Sequence, residues 1–517
     1  VLAIAVAGLA AGGVAMKRIG LLVAVVGLLI ADGGCRRVVQ VEPIVPAEDP
    51  SLRSLDTPSP TEQAQRTIRD RLQRREQMFR EVLTPGSQWQ ELRVDQQQID
   101  RRRLSIARLV DLGRELFRTD FTVEQGLGNG LARRNSKLAG SRPAPNLRHV
   151  HGGEFGGPDA TRCAACHHVG GLGGGGGKID TVFLLGDGDR PDSALHRNPK
   201  ALLGAGLLQA LAEEMSRELR AKLSSAERRL SPGQSEMLSS KGVAFGPIRK
   251  RSDGNLDLTG IHGVSPDFIV RPFGWKGSTS TLRQVVMESL QQHMGVQADE
   301  LLRSQSRGRS EFLGDGPEED PDADGITHEA TEGMVTALTT FVAALPPPME
   351  EVPEVATFVM RAARGYELFN QIGCAGCHVP TMKLDEPTVA LGPSWQKRPR
   401  ADLSPLLVTA HRAKEPLVVR LYSDLRRHNM GEALADPRSY RGIPKDEWLT
   451  PPLWGVASSG PYLHDGRAPN VHTAIEAHGG EGKAAAAAYA ALSTEDAGAV
   501  RVFLQTLTRP QSLEFKP

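Results

Sequence analysis

Two short stretches decide how this chain is read: Cys163-Ala164-Ala165-Cys166-His167 and Cys374-Ala375-Gly376-Cys377-His378. Both are C-x-x-C-H, the spacing at which two thiols bond the vinyl groups of one porphyrin. The adjacent histidine then lies beneath the iron as its proximal ligand. The two pairs use four of the five cysteines. A zinc site would need further Cys or His ligands in a tetrahedral set, and His168 is the only extra candidate close by. The spacing therefore predicts two covalently bound c-type haems, attached at Cys163 and Cys166 with His167, and at Cys374 and Cys377 with His378.

The flanks of the two stretches are related. Gly113-Arg114-Glu115-Leu116-Phe117 precedes the first and Gly365-Tyr366-Glu367-Leu368-Phe369 the second, each closing an apolar helical run (106–117 and 355–369). This is an internal repeat: one helix, then a haem loop. Helical periodicity recurs at 60–82, 95–117, 209–230, 281–292, 332–345 and 494–507, and few β-branched alternating runs occur. The expected fold is mainly α: two cytochrome c-like haem domains with long loops and an N-terminal helical extension. The expected division is 1–35 as an export segment, 36–105 as the extension, 106–300 as the first haem domain, 301–350 as an acidic linker and helix, and 351–517 as the second haem domain. Pro346-Pro347-Pro348 marks the boundary into the last. The run Gly173 to Gly177 before Lys178 resembles a phosphate loop only superficially, because Ile179 stands where Ser or Thr is required. A flexible loop near the porphyrin edge is expected there instead.

With 62 basic and 61 acidic residues among 517, no net field recruits nucleic acid or an anionic membrane. Near the start, Met16-Lys17-Arg18 precedes an apolar run from Ile19 to Ile30, the pattern of an export signal rather than a membrane span. A span over 2–31 would bury Lys17 and Arg18 at several kcal/mol. Cys35 follows Gly33-Gly34, so lipid attachment there and simple cleavage both stand open, Asp32 occupying the usual lipobox leucine position. A periplasmic or extracytoplasmic location follows, either free or lipid-anchored. Paired thiols of the cytosolic redox kind fit such a compartment poorly.

Four further stretches carry a resemblance. They are Asn198-Pro199-Lys200 to Leu208; Phe273-Gly274-Trp275-Lys276 with His293-Met294-Gly295; Asp424 to Leu434 through Met430-Gly431; and Pro451-Pro452-Leu453-Trp454-Gly455 with Pro461 to Ala468 and His478-Gly479-Gly480-Glu481. Over about residues 106–510 the chain resembles the bacterial dihaem cytochrome c peroxidases, and still more the broader dihaem oxidoreductase family. The resemblance implies that Trp275 lies between two haems as an electron relay, with Lys276 in place of the family's aspartate; a core indole is the alternative. Where the peroxidases carry a Glu-Met pair, this chain has His293-Met294. His293 is then a distal acid–base group, an iron ligand or a surface histidine, and Glu288 is a weaker candidate for the distal carboxylate. For the second haem, His478 lies where the family places an axial ligand, fourteen residues after His464, and Met430 competes with it; Met would raise the potential and His lower it. His464, Asp465 and Arg467 either orient the haem and its propionates or form a structural loop.

The linker carries Asp320, Asp322, Asp324 and Gly325, which match the opening of a calcium loop without its closing glutamate. Calcium and a solvated acidic turn are the two readings. The resemblance implies a peroxidase-like oxidoreductase (EC 1.11.1 class). One reactive haem would meet hydrogen peroxide, and the other would take electrons from a small cytochrome or cupredoxin. A dihaem electron-transfer protein without turnover and a dihaem enzyme oxidising another substrate are the alternatives.

Overall fold

The computed structural model of the chain describes residues 92–127, 158–184, 194–305, 325–351, 355–390, 400–403 and 417–509, with residues 73, 320 and 392. All of these positions lie in one compact unit. The export segment, Cys35, most of the 36–105 extension, Asp322 and Asp324 lie outside the described residues. No helix among the described residues is long and apolar enough to cross a membrane.

Six helices organise the fold: α1 (Ile106–Arg118), α2 (Ala205–Arg229), α3 (Leu282–Ser289), α4 (Glu332–Ala344), α5 (Ala356–Gln371) and α6 (Thr494–Thr506). Four start on a side-chain cap that accepts an otherwise orphaned N–H: Ser105 from Arg108 N, Thr281 from Gln284 N, Thr331 from Met334 N and Ser493 from Asp496 N. On α1 the residues Leu109, Val110, Leu112, Leu116 and Phe117 are buried, the stripe that a 3.6-residue period lays on one face. The helical expectation at 95–117 is interrupted at residues 101–105, between a short turn of helix at Gln96–Asp100 and α1.

The repeat read from the flanking motifs is a repeat in three dimensions. Gly113 of α1 lies so close to α4 that a Cβ would come within 2.1 Å of Ala337 O and 2.6 Å of Phe341 Cβ. Gly365 of α5 meets α6 in the same way, with a Cβ 2.0 Å from Ala499 O and 2.8 Å from Phe503 Cβ. In each pair the missing side chain lets two helix backbones cross nearly in contact. Four residues on, Phe117 packs on Phe341 at 5.2 Å and Phe369 on Phe503 at 5.3 Å between ring centroids. One buried core runs from Leu92 to Leu425, and a second lies within Leu368 to Leu507.

Helices are not the whole architecture. Among the described residues there are five two-stranded antiparallel pairs and one three-stranded sheet. The sheet, Ser235–Ser240, Val243–Lys250 and Leu256–Asp257, follows α2 and was not expected. Its hairpin turns at Lys241-Gly242, both in the left-handed region (φ 50 and 82), the backbone of a two-residue turn. The pair Arg427–Asn429 with Glu447–Leu449 sets His428 directly opposite Trp448, which matters for the site below.

Candidate functional site

The first pair of thiols sits on a single helical turn, Cys163–Cys166, and the second on a tight turn, Cys374–Gly376. All four thiols are free. Burial pushes Cys163 and Cys166 up to about 12 and Cys374 to about 11. A redox dithiol or thiolate nucleophile needs the opposite shift, so these thiols are not poised for that chemistry. His168 Nε2 is bonded to Asp180 Oδ2 at 2.8 Å.

The two adjacent histidines share one environment. His167 Nδ1 donates to Gly174 O at 3.2 Å, and His378 Nδ1 donates to Tyr422 O at 3.1 Å. A carbonyl can only accept, so each ring keeps its proton on Nδ1 and presents Nε2 as a lone pair, the arrangement found behind metal-ligating histidines. Burial, aided at His378 by the nearby His478, pulls both down to about 4, so both are neutral at pH 7. Phe117 stands 6.2 Å from His167 and Phe369 stands 6.5 Å from His378.

The glycine run after the first site is packed, which corrects the expectation of a flexible loop. Gly171 to Gly176 are buried, and a Cβ on Gly174 would come within 2.0 Å of Val169 O. Glycine is required there for close approach, and the loop's Gly174 carbonyl is what holds His167.

Around the second site lies a cavity of about 320 Å³, lined by Cys374, Cys377, His378, Met430, His478 and Trp275 among largely apolar neighbours. His378 and His478 face one another with ring centroids 6.5 Å apart and planes at 62°. His478 Nδ1 donates to Ala474 O at 2.8 Å, so its Nε2 is also left as a lone pair. Metal–imidazole bonds are about 2 Å long, so two imidazoles on one ion stand roughly 6 Å apart centre to centre. The spacing fits a flat metal-centred group held between the two rings. Met430 lines the same cavity, and its Cε packs beside Gly482. Of the two candidates, His478 is the one opposed to His378.

Trp275 lines this cavity and is tied to the first lobe. Its Nε1 donates to Asn198 O at 2.7 Å. The same segment binds the first site's glycine loop through Gly176 N to Pro199 O at 2.8 Å and Asn198 Nδ2 to Gly177 O at 2.8 Å, and Asn198 N donates to His464 O of the last motif at 2.7 Å. Lys276, beside Trp275, is buried; its ammonium donates to the carbonyls of Pro444, Lys445 and Glu447 and lies 3.3 Å from Asp436. Asp436 also takes both guanidinium nitrogens of Arg197. The replacement of aspartate by Lys276 is thus matched by a carboxylate on the other side of the contact.

The remaining expected residues divide. His464 stacks on Trp448 at 3.9 Å, and burial holds it neutral. Arg467 Nε donates to Asp465 at 2.6 Å and its Nη1 to Ala433 O at 2.9 Å. Glu288 pairs with Arg441 at 3.0 Å and accepts from Gln284 and Thr279; these contacts account for it as a structural carboxylate. His293 lies in a π-helical turn, Leu290–Met294, where its Nδ1 meets buried Asp159 at 2.8 Å and its carbonyl accepts from Asp159 N at 2.7 Å. That contact pins the turn to the segment leading into Cys163. Asp320 accepts from Gly325 N at 3.0 Å, a turn contact.

Three side chains with no assigned role in the sequence reading converge on the second site. His428 is bonded at Nε2 to Asp424 (2.8 Å) and at Nδ1 to Glu481 (2.7 Å), with Cys377 Sγ 3.9 Å away. Burial opposes its charge, but the Asp424, Cys377 and Glu481 contacts outweigh it and raise His428 to about 11. The two carboxylates come from stretches 57 residues apart in the chain, quoted above as Asp424 to Leu434 and His478 to Glu481.

Residues 263–507 match the family described as "Di-haem oxidoreductase, putative peroxidase". No curated protein matches. Two solved structures are similar at 17% identity and a TM-score of 0.25: a MauG-like protein associated with microbial copper homeostasis (59% of this chain, 88% of that one), and the hydrazine synthase of Kuenenia stuttgartiensis pressurised with xenon (59% and 87%).

Proposed function

Because residues 263–507 match the di-haem oxidoreductase family, we propose that the chain is an exported, peroxidase-like oxidoreductase carrying two c-type haems. The observation that carries this reading is the duplicated site. Each C-x-x-C-H pair is followed by a neutral imidazole whose Nδ1 is tied to a backbone carbonyl, and each imidazole is faced by the phenylalanine of its own glycine-anchored helix.

Haem, once attached, supplies the redox chemistry, and the chain sets ligation, access and proton supply. At the second site His378 and His478 would hold the group between them, leaving no room for a small-molecule oxidant, and this site would store electrons. At the first site His293, held by Asp159, moves protons for a small oxidant such as hydrogen peroxide. Asn198 accepts from Trp275 Nε1 and donates to His464 O, linking the Trp275 segment to the last motif. Cys163, Cys166, Cys374 and Cys377 hold the cofactors, and a small cytochrome or cupredoxin delivers electrons.

The rival is a dihaem electron-transfer protein, in which His293 ligates and closes the first site. Electron paramagnetic resonance of the ferric holoprotein separates the two. The proposal expects one low-spin bis-histidine signal and one high-spin signal that cyanide converts. Two low-spin, cyanide-inert signals would replace it with the rival. Peroxide turnover should fall in His293→Gln and persist in Glu288→Gln.

A further inference from the structure

The cavity of the second site is lined by two hydrogen-bond donors left unspent by the fold. Lys200 is the first. Its ammonium lies 5.1 Å over the Trp275 ring, and desolvation pulls it down to about 8. No carboxylate faces it among the described residues. Lys276 and Arg197, by contrast, share Asp436. Trp448 is the second. It is 7% exposed, it lines the same cavity, and its Nε1 has no hydrogen-bond partner among the described residues. Its ring is occupied by His464 stacked at 3.9 Å and by the Lys276 ammonium at 4.1 Å, so its N–H edge is what remains. The bond from Leu449 N to Trp275 O, 3.0 Å, sets Trp448 and the Trp275–Lys200 pair on one wall.

A half-buried ammonium over an indole ring and a buried indole N–H each cost free energy if nothing accepts from them. Both are relieved by one kind of group, an anionic acceptor brought in with the ligand of the cavity. We propose that Lys200 Nζ and Trp448 Nε1 form a carboxylate-binding pair for the propionate groups of the porphyrin tethered at Cys374 and Cys377. The proposal rests on the haem reading above. It gives the propionates two partners from separate stretches of the chain.

The test uses the holoprotein and the variants Lys200→Met, Lys200→Arg and Trp448→Phe. Covalent haem per chain is counted first; fewer than two in the parent would sink the haem reading itself, independently of this proposal. With two present, resonance Raman propionate-bending bands of the second haem should shift in Lys200→Met and in Trp448→Phe, and should keep the parent position in Lys200→Arg. The midpoint potential of that haem should fall in Lys200→Met, as a positive charge is removed, and stay at the parent value in Lys200→Arg. Bands unchanged in both Lys200→Met and Trp448→Phe would overturn the pair even if the potential moved. Should Lys200→Met fail to accumulate, unchanged bands in Trp448→Phe overturn it alone.

Discussion

Replacing Gly365 by Ala and Gly376 by Ala is the same chemical change with opposite expected outcomes. At Gly365 the new Cβ would stand 2.0 Å from Ala499 O, 2.6 Å from Ala499 C and 2.8 Å from Phe503 Cβ. Neither a backbone carbonyl nor a helix can give way locally, so α5 and α6 must separate by roughly 1 Å or more, an overpacking that costs about 1–3 kcal/mol. The displacement reaches the site, since Phe503 packs on Phe369 and Phe369 faces His378. At Gly376 nothing lies within 4 Å of a Cβ, and the first attachment turn already carries Ala165 at the equivalent position. There the loss of unfolded-state freedom should leave stability unchanged or raise it by up to about 0.4–1 kcal/mol. Urea denaturation of the two holoproteins reads the difference as midpoints on either side of the parent, and the absorption of the second haem should change in Gly365→Ala alone. If Gly365→Ala were as stable as Gly376→Ala, the claim that a missing side chain sets each helix crossing would be refuted. Gly113→Ala should repeat the effect in the first lobe.

His428→Asn leaves Asp424, 1% exposed at its side chain, as a buried carboxylate without its cation, at a cost of about 3–5 kcal/mol near neutral pH. The folded state raises His428 from 6.5 to about 11, so its contribution is complete below about pH 6.5 and is lost as pH rises towards 11; denaturation midpoints of parent and variant should converge over that window, and a constant gap would contradict the assignment. Asp159→Asn removes the carboxylate that orients His293, so cyanide association with the first haem should acquire a different pH profile while the second haem's spectrum stays unchanged. Glu288→Gln should lower stability through the Arg441 contact and leave peroxide turnover within twofold; a large loss of turnover would return Glu288 to the reactive site.

Local chemistry was legible in the sequence, and long-range convergence was not. The attachment turns and their histidines could be read because thiol, thiol and imidazole are set by spacing within five residues. The helix repeat could be read because Gly113 and Gly365 head the same motif, although their partners Ala337 and Ala499 carry no signal of their own. The three-stranded sheet was missed because Ser235–Ser240 lacks the β-branched residues that mark a strand, and the Lys241-Gly242 turn is a weaker mark than Asn-Gly. The glycine run after Cys166 was misjudged because repeated glycine signals either freedom or close approach, and only packing distinguishes them. Asp159, Lys200, Trp448 and the Asp424–His428–Glu481 group were invisible as partners, since nothing local links residues brought together from opposite ends of a lobe.

The most direct measurement is the number of haems that remain bound to the denatured, acid–acetone-extracted polypeptide, counted as pyridine haemochrome per chain. The account predicts two, with one remaining in a chain whose Cys374 and Cys377 are both replaced by Ala and one in a chain whose Cys163 and Cys166 are so replaced. A single covalent haem in the parent, or none, would contradict it.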